Sequence, residues 1–401
     1  MIPFDVITEL AIQTPSKILL LVMDGLGGLP RPETGLTELA SATRTNLDAL
    51  ARESICGLTV PVAPGITPGS GPAHLALFGY DPISCLVGRG VLSALGIGFP
   101  LEPTDLAARI NFATIDEHGI VIDRRAGRIS TETNRQLVQL LRGIQIPGVQ
   151  VFVETESMHR AVVIFRGPNL SPHLSDTDPQ RTGVPPLPAR ALEPAAEHTA
   201  EVVNRFIAEA ARILKPHRPA NYILLRGFST YPHLPQFGDI YKLRAAAVAT
   251  YPMYRGLARL VGMEVLPTGE TFADEVETVR RHWAQYDFFF VHFKYTDTTG
   301  EDGDFTAKVL AIEEVDRALP DLLALGPDVI AVTGDHSTPS LLRAHGWQPV
   351  PFMLRSRYEV PDDVQEFTER ACQRGTLGRF PARDVMLLLM ANALKLEKYG
   401  A

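Results

Sequence analysis

Two short apolar runs, Ile18-Leu19-Leu20-Leu21-Val22-Met23 and Val329-Ile330-Ala331-Val332-Thr333, lead into turns that carry Asp24-Gly25 and Asp335-His336. Unbroken apolar runs of this length are strands covered on both faces, as in a parallel sheet. Open α/β sheets build their sites at the carboxyl ends of such strands. The pattern therefore predicts an α/β fold whose strand ends deliver acids and an imidazole to one edge.

Other segments extend that reading. Tyr222–Leu225, Ala245–Val248, Met263–Leu266, Phe288–Val291 and Phe352–Leu354 read as further strands. Between the later ones, Asp304–Leu319 carries Phe305, Val309, Ile312, Val315 and Leu319 on one helical stripe, with Pro320 expected to end or kink that helix. Asn46 reads as the cap of a helix bearing Leu47, Leu50 and Ala51. Such alternation is the βαβ rhythm of a mostly parallel sheet. The middle of the chain departs from it. Ile120–Ile122, Val149–Val153 and Ala161–Phe165 read as strands of a smaller sheet. A proline-rich loop and then a helix bearing Val203, Phe206, Ala210, Ile213 and Leu214 follow. The expected organisation is a metal-binding α/β domain from 1–105 and 221–401, with a smaller α+β domain inserted over 106–220.

A chain of 401 residues accommodates two such domains. Its net charge of -8 argues against nucleic acid or an anionic membrane as partner. The run Ile18–Met23 is too short to span a bilayer. Cys56, Cys85 and Cys372 lack metal-type spacing and read as reduced thiols of a cytoplasmic protein.

Asp24, Ser70, Asp297, Glu301, Asp335, His336 and His345 together read as the donor set of a two-metal phosphoryl-transfer site: hard oxygens, two imidazoles and a hydroxyl nucleophile. Ser70 lies in Thr67-Pro68-Gly69-Ser70-Gly71-Pro72, where glycines let backbone approach a ligand. Asp297 and Glu301, four apart, lie in a stretch with Gly300 and Gly303 that reads as a metal-wrapping loop. The same stretch also fits an acidic solvated loop, with Asp304 capping the helix that follows. His345 taken alone fits a surface position as well as a ligand. His74 reads as a packing residue on a helix. For anion binding, Asp123-Arg124-Arg125-Ala126-Gly127-Arg128 puts three guanidinium groups on one turn, and Arg226, Lys242 and Arg244 flank strands. Arginine forks match phosphate and carboxylate oxygens, although each of these cations alone also fits a solvated surface.

The stretch from Pro68 to Pro82, with Ser70 in it, resembles the nucleophile segment of the archaeal-type 2,3-bisphosphoglycerate-independent phosphoglycerate mutases, of the alkaline phosphatase superfamily. Gly88-Arg89-Gly90, Arg109–Thr114, Asp123–Ile129, Ser175–Pro179, Leu225-Arg226-Gly227 and Thr333–Pro339 resemble the family's segments in the same order. The resemblance implies an alkaline-phosphatase-like metal domain with an inserted substrate domain, and interconversion of 3- and 2-phosphoglycerate. Ser70 would be the phosphorylated residue. Asp24, Ser70, Asp335 and His336 match one metal site, and Asp297, Glu301 and His345 the other. Two divalent ions are implied, Mn²⁺ or Mg²⁺ before Zn²⁺ or Co²⁺. Two positions depart from the family: Glu301 stands where it has His, and Gly71 where it has Asp. A metal-dependent phosphomonoesterase or another phosphotransferase is the rival reading, and a non-catalytic phosphometabolite binder a third.

Overall fold

The computed structural model describes residues 2–85 and 87–400. The strands are β1 (Ile18–Met23), β2 (Ile55–Val60), β3 (Leu106–Ile115), β4 (Val121–Asp123), β5 (Gln150–Ser157), β6 (Arg160–Arg166), β7 (Tyr222–Thr230), β8 (Ala245–Ala249), β9 (Glu264–Val265), β10 (Phe288–Phe293), β11 (Val329–Thr333), β12 (Val350–Ser356) and β13 (Gly378–Pro381). The chain forms two compact units, one from residues up to 85 together with Leu234 onward, the other Val87–His233.

The first unit is α/β, built on an eight-stranded sheet of order β13-β2-β12-β11-β1-β10-β8-β9. β1 runs parallel to both β10 and β11, while β12 is antiparallel to β11 and β2. Every residue of β1, β8, β10 and β11 is buried, which is why these strands are continuous apolar runs. Register then places the chemistry. Met23 pairs with Phe293 and Val22 with Thr333, so Asp24, Lys294 and Asp335 come off the three central strands at one level.

Three sequence expectations change in this unit. Residues Tyr295–Asp302 form a helix rather than a loop, closed by Gly303 at φ 76°. Gly300 is required inside it, because a Cβ there would meet the Thr338 carbonyl oxygen at 2.3 Å. The helix Phe305–Leu323 also continues through Pro320. Proline withholds the N–H that the Asp316 carbonyl would accept, and Asn46 Nδ2 donates to that carbonyl instead, at 2.9 Å. Asn46 is thus recruited to another helix, and its own helix begins at Thr45 with Arg44 before it.

The second unit is α+β. β3 is central, antiparallel to β4, β6 and β7, and β5 extends the sheet beyond β6. The helix Glu197–Leu214 packs Val203, Phe206, Ala210 and Leu214 into the core, with the Phe206 ring edge-on to Phe165. Tyr222–Leu225, expected in the large sheet, is instead the start of β7, which pairs along β3. The helix Arg89–Gly96 belongs here as well, with Gly90 so close to β3 that a Cβ would strike the Ala107 carbonyl oxygen at 2.2 Å. The unit is therefore wider at both ends than 106–220.

Candidate active site

The carboxyl ends of β1, β10 and β11 meet in the first unit. Asp24 follows β1 directly, and Asp335-His336 follows β11 after Gly334. Ser70 opens the helix Ser70–Leu77, where helix N–H groups favour developing negative charge on its hydroxyl. Ser70 Oγ lies 3.1 Å from His336 Nε2. The same nitrogen is 3.4 Å from Asp24 Oδ1 and 3.2 Å from Asp335 Oδ2. Both carboxylate oxygens are buried; among the described residues Asp24 Oδ1 accepts no hydrogen bond, and Asp335 Oδ2 has only the His74 ring nitrogen at 3.1 Å besides His336.

A second group adjoins it. Asp297, His336 and His345 each offer a donor atom, all within 4.8 Å of one another, and the two imidazoles stack with centroids 3.7 Å apart. His345 Nδ1 donates to the Pro68 carbonyl at 2.9 Å, so its Nε2 carries the lone pair. In the neutral ring that Nε2, which lies 3.6 Å from Asp297 Oδ1 and 3.9 Å from Glu301 Oε1, is the free acceptor. Glu301 sits one helical turn beyond Asp297 and is half exposed. All seven residues expected from the sequence are thus brought together.

Three residues that the sequence reading missed hold this centre. Lys294 Nζ donates to Asp24 Oδ2 at 2.8 Å and to Asp297 Oδ2. The Tyr254 hydroxyl also donates to Asp24 Oδ2, and its ring stacks on His292. Burial disfavours the Asp24 carboxylate, but the Lys294 charge, then His292 and His336, outweigh burial and hold it well below the carboxylate range. Burial likewise works against the Lys294 ammonium, and Asp24, Tyr254 and Asp297 raise it well above the usual lysine value. The third, Lys308, is fully buried and donates to the carbonyls of Gly25, Gly27 and Thr338, tying together the turns after β1 and β11. Lys294 was detectable as a lysine closing an apolar strand three residues before Asp297. Tyr254 and Lys308 carry no such mark.

His74, expected to pack on a helix, is buried there, with Nδ1 donating to the Ser70 carbonyl at 2.9 Å and 3.1 Å from Asp335 Oδ2. Burial lowers its pKa, but Asp335 more than compensates and raises it. His336 is held below the ordinary imidazole value by burial. Two buried carboxylate oxygens converging on an imidazole nitrogen and a hydroxyl, one of them without a hydrogen bond, are costly unless a cation joins them. The oxygen-rich, two-imidazole donor set fits a divalent ion.

The expected anion ligands divide. In the second unit, Asp123 shapes its turn by accepting from the N–H groups of Arg125 and Gly127. Arg124 is bound to the buried Asp178, with Nε and Nη2 each 2.7 Å from a carboxylate oxygen. Arg226 Nη1 lies 3.5 Å from the same aspartate. Arg125 and Arg128, with Arg160 and Arg109, surround His159: burial first, then these four charges, push its imidazole down to about 3. Arg109 stands opposite Arg226 across β3 and β7. Like charges in that relation repel, and Asp176 and Asp178 beside Arg226 offset part of that repulsion. His159, Arg109 and Arg160 were not singled out from the sequence as members of this cluster, although Arg109 lies inside the apolar strand β3. Lys242 and Arg244 do not belong to it. Both precede β8 and so lie at the amino ends of the parallel strands, opposite the acids, where Lys242 Nζ donates to the Ala11 carbonyl at 2.7 Å and Arg244 Nη2 pairs with Asp287 at 2.9 Å.

Among the described residues, no helix is long and apolar enough to cross a membrane. Cys56, Cys85 and Cys372 are free thiols, the first and last buried.

Comparison with known proteins agrees with this chemistry. A family model described as 2,3-bisphosphoglycerate-independent phosphoglycerate mutase matches residues 51–221. A Deinococcus radiodurans protein named as a probable enzyme of that kind is 54% identical over 405 residues, covering 99% of each chain. A Thermus thermophilus protein of the same name is 52% identical over 403 residues, again covering 99% of each. A solved Pyrococcus horikoshii structure aligns with a TM-score of 0.84 at 32% identity, covering 97% of this chain and 100% of that one. The cofactor-independent phosphoglycerate mutase of Thermoplasma acidophilum aligns at 0.69 with 34% identity, covering 94% and 100%. The chain belongs to the 2,3-bisphosphoglycerate-independent phosphoglycerate mutase family of isomerases.

Proposed function

We propose that this enzyme interconverts 3-phosphoglycerate and 2-phosphoglycerate through a phosphoserine at Ser70, in the cytoplasm. The observation that carries the reading is the convergence on one point of the Ser70 hydroxyl, His336 Nε2 and the buried oxygens Asp24 Oδ1 and Asp335 Oδ2. Asp24, Ser70, Asp335 and His336 would hold one divalent ion, and Asp297, Glu301 and His345 a second. Mn²⁺ or Mg²⁺ suits these donors best, with Zn²⁺ or Co²⁺ as the softer options. Ions bound there supply Lewis acidity, acidify a bound hydroxyl and neutralise phosphoryl charge.

Ser70 Oγ attacks phosphorus, its bond to phosphorus forms as the substrate C3–O oxygen leaves, and the hydroxyl proton passes to that oxygen. Lys294, already ionised and largely buried, offsets the acids around the reacting phosphoryl group. The glycerate 2-hydroxyl then attacks phosphoserine, and Ser70 recovers its proton. Arg125, Arg128, Arg109 and Arg160 supply the cations that retain the glycerate carboxylate. A neutral His159 among them can offer an N–H without adding charge.

A coupled assay with 3-phosphoglycerate and Mn²⁺, without 2,3-bisphosphoglycerate, tests the proposal. Formation of 2-phosphoglycerate is expected. Release of inorganic phosphate alone would overturn it in favour of a phosphomonoesterase.

A further inference from the structure

Thr338 joins the two metal-ligand groups through one hydroxyl. Its Oγ1 lies 2.6 Å from Asp297 Oδ1 and 3.0 Å from His336 Nδ1. A hydroxyl has one proton to donate, and an ionised carboxylate can only accept. The Thr338 proton therefore goes to Asp297, and the oxygen must accept from His336, which places a proton on Nδ1. Nε2 is left with the lone pair. It is the nitrogen that faces Ser70 Oγ, Asp24 Oδ1 and Asp335 Oδ2 at 3.1, 3.4 and 3.2 Å.

The arrangement is rigidly mounted. Thr338 is fully buried, its N–H is shared between the carbonyls of Gly25 and Gly27, and its own carbonyl accepts from Lys308 Nζ at 2.8 Å. A Cβ on Gly25 would come within 2.4 Å of Thr338 Oγ1, so the hydroxyl is closely walled on that side.

We propose that Thr338 is a positioning residue that selects the His336 tautomer and aims its Nε2 lone pair at the ion shared with Asp24, Asp335 and Ser70, while orienting Asp297 of the neighbouring group. The proposal rests on the two-metal reading above. Partners of this kind set ligand tautomer and basicity, and their loss costs about 10–100-fold in metal affinity.

Two measurements test it. In the metal-free protein at pH 8, ¹⁵N chemical shifts of the His336 ring, assigned by their loss in His336→Gln, are expected to show Nδ1 protonated. In Thr338→Val, which keeps the shape and loses the hydroxyl, that tautomer preference should weaken. Mn²⁺ affinity by calorimetry should fall about 10–100-fold in Thr338→Val and be restored in Thr338→Ser. A wild-type His336 protonated on Nε2 would overturn the proposal, as would unchanged affinity in the valine variant. An equal fall in Val and Ser would also overturn it, since it would indicate packing rather than the hydroxyl. If the wild type bound no Mn²⁺, the two-metal reading would fall, and the tautomer would still decide the role of Thr338.

Discussion

Arg124 grips Asp178 in a two-pronged ion pair, Nε and Nη2 each 2.7 Å from a carboxylate oxygen, on a turn whose arginines otherwise suggest ligand binding. The Asp178 side chain is fully buried, so Arg124 supports the fold. Arg124→Ala should cost about 1.5–3 kcal/mol, the range for hydrogen bonds to charged groups, whereas Arg125→Ala should stay within about 0.5 kcal/mol. Urea denaturation of both variants checks this. Burial pushes the Asp178 carboxyl up, but the Arg124 bonds, the Gln180 N–H and the charges of Arg124 and Arg226 hold it below the usual value. Its stabilising contribution is present above the unfolded pKa of about 3.9 and is lost as pH falls through the lower folded value. Arg124→Ala should weaken that acid dependence.

Alanine at both Arg125 and Arg128 should act on chemistry rather than stability. Glycerate held less firmly escapes before its second hydroxyl attacks, so phosphate release should rise relative to 2-phosphoglycerate formation. An unchanged ratio of the two products would refute the role given to these side chains.

Ser70→Ala should abolish turnover while leaving the melting temperature close to that of the wild type, since one hydroxyl is removed from a helix N-terminus. Mass spectrometry of acid-quenched wild type should find phosphate on Ser70. Residual mutase activity in the alanine variant would exclude the covalent route.

Lys294→Met should destabilise the metal-free protein by about 3–5 kcal/mol, because Asp24 and Asp297 lose a buried cation. Added Mn²⁺ should raise Tm more in this variant than in the wild type, since a bound ion can replace the missing charge. Equal Tm gains would argue against that exchange.

His159 makes stability depend on pH with the opposite sign to a salt-bridged histidine. Its folded pKa of about 3 lies below the unfolded value of about 6.5. Between the two, the unfolded chain takes up a proton that the native state refuses, so stability falls as pH drops through this window. His159→Gln should flatten that part of the profile in a denaturation series from pH 4 to 7.

The sequence resemblance implies a carboxylate at Glu301 where the family has a neutral imidazole, and as a ligand it should favour hard ions over softer ones. Glu301→His should shift calorimetric preference from Mn²⁺ towards Zn²⁺, and Glu301→Ala should lose one ion. Unaltered stoichiometry in the alanine variant would remove Glu301 from the ligand set.

The sequence by itself determined the buried parallel strands and the acids at their ends. Runs such as Ile18–Met23 and Val329–Thr333 are apolar throughout because both faces are covered, and a parallel strand can place Asp24 or Asp335 only at its carboxyl end. The extent of the helix through Pro320, the helical state of Tyr295–Asp302 and the membership of Tyr222–Thr230 were decided by tertiary structure. Each depends on a partner distant in the chain: Asn46 for the carbonyl that Pro320 strands, Thr338 for the space that only Gly300 leaves, and β3 for β7. The same holds within the site. Asp24 and Lys294 are 270 residues apart and meet because β1 and β10 pair in parallel with Met23 beside Phe293. Local pattern records which face of a strand is buried, and only strand order and register decide which charges are buried together.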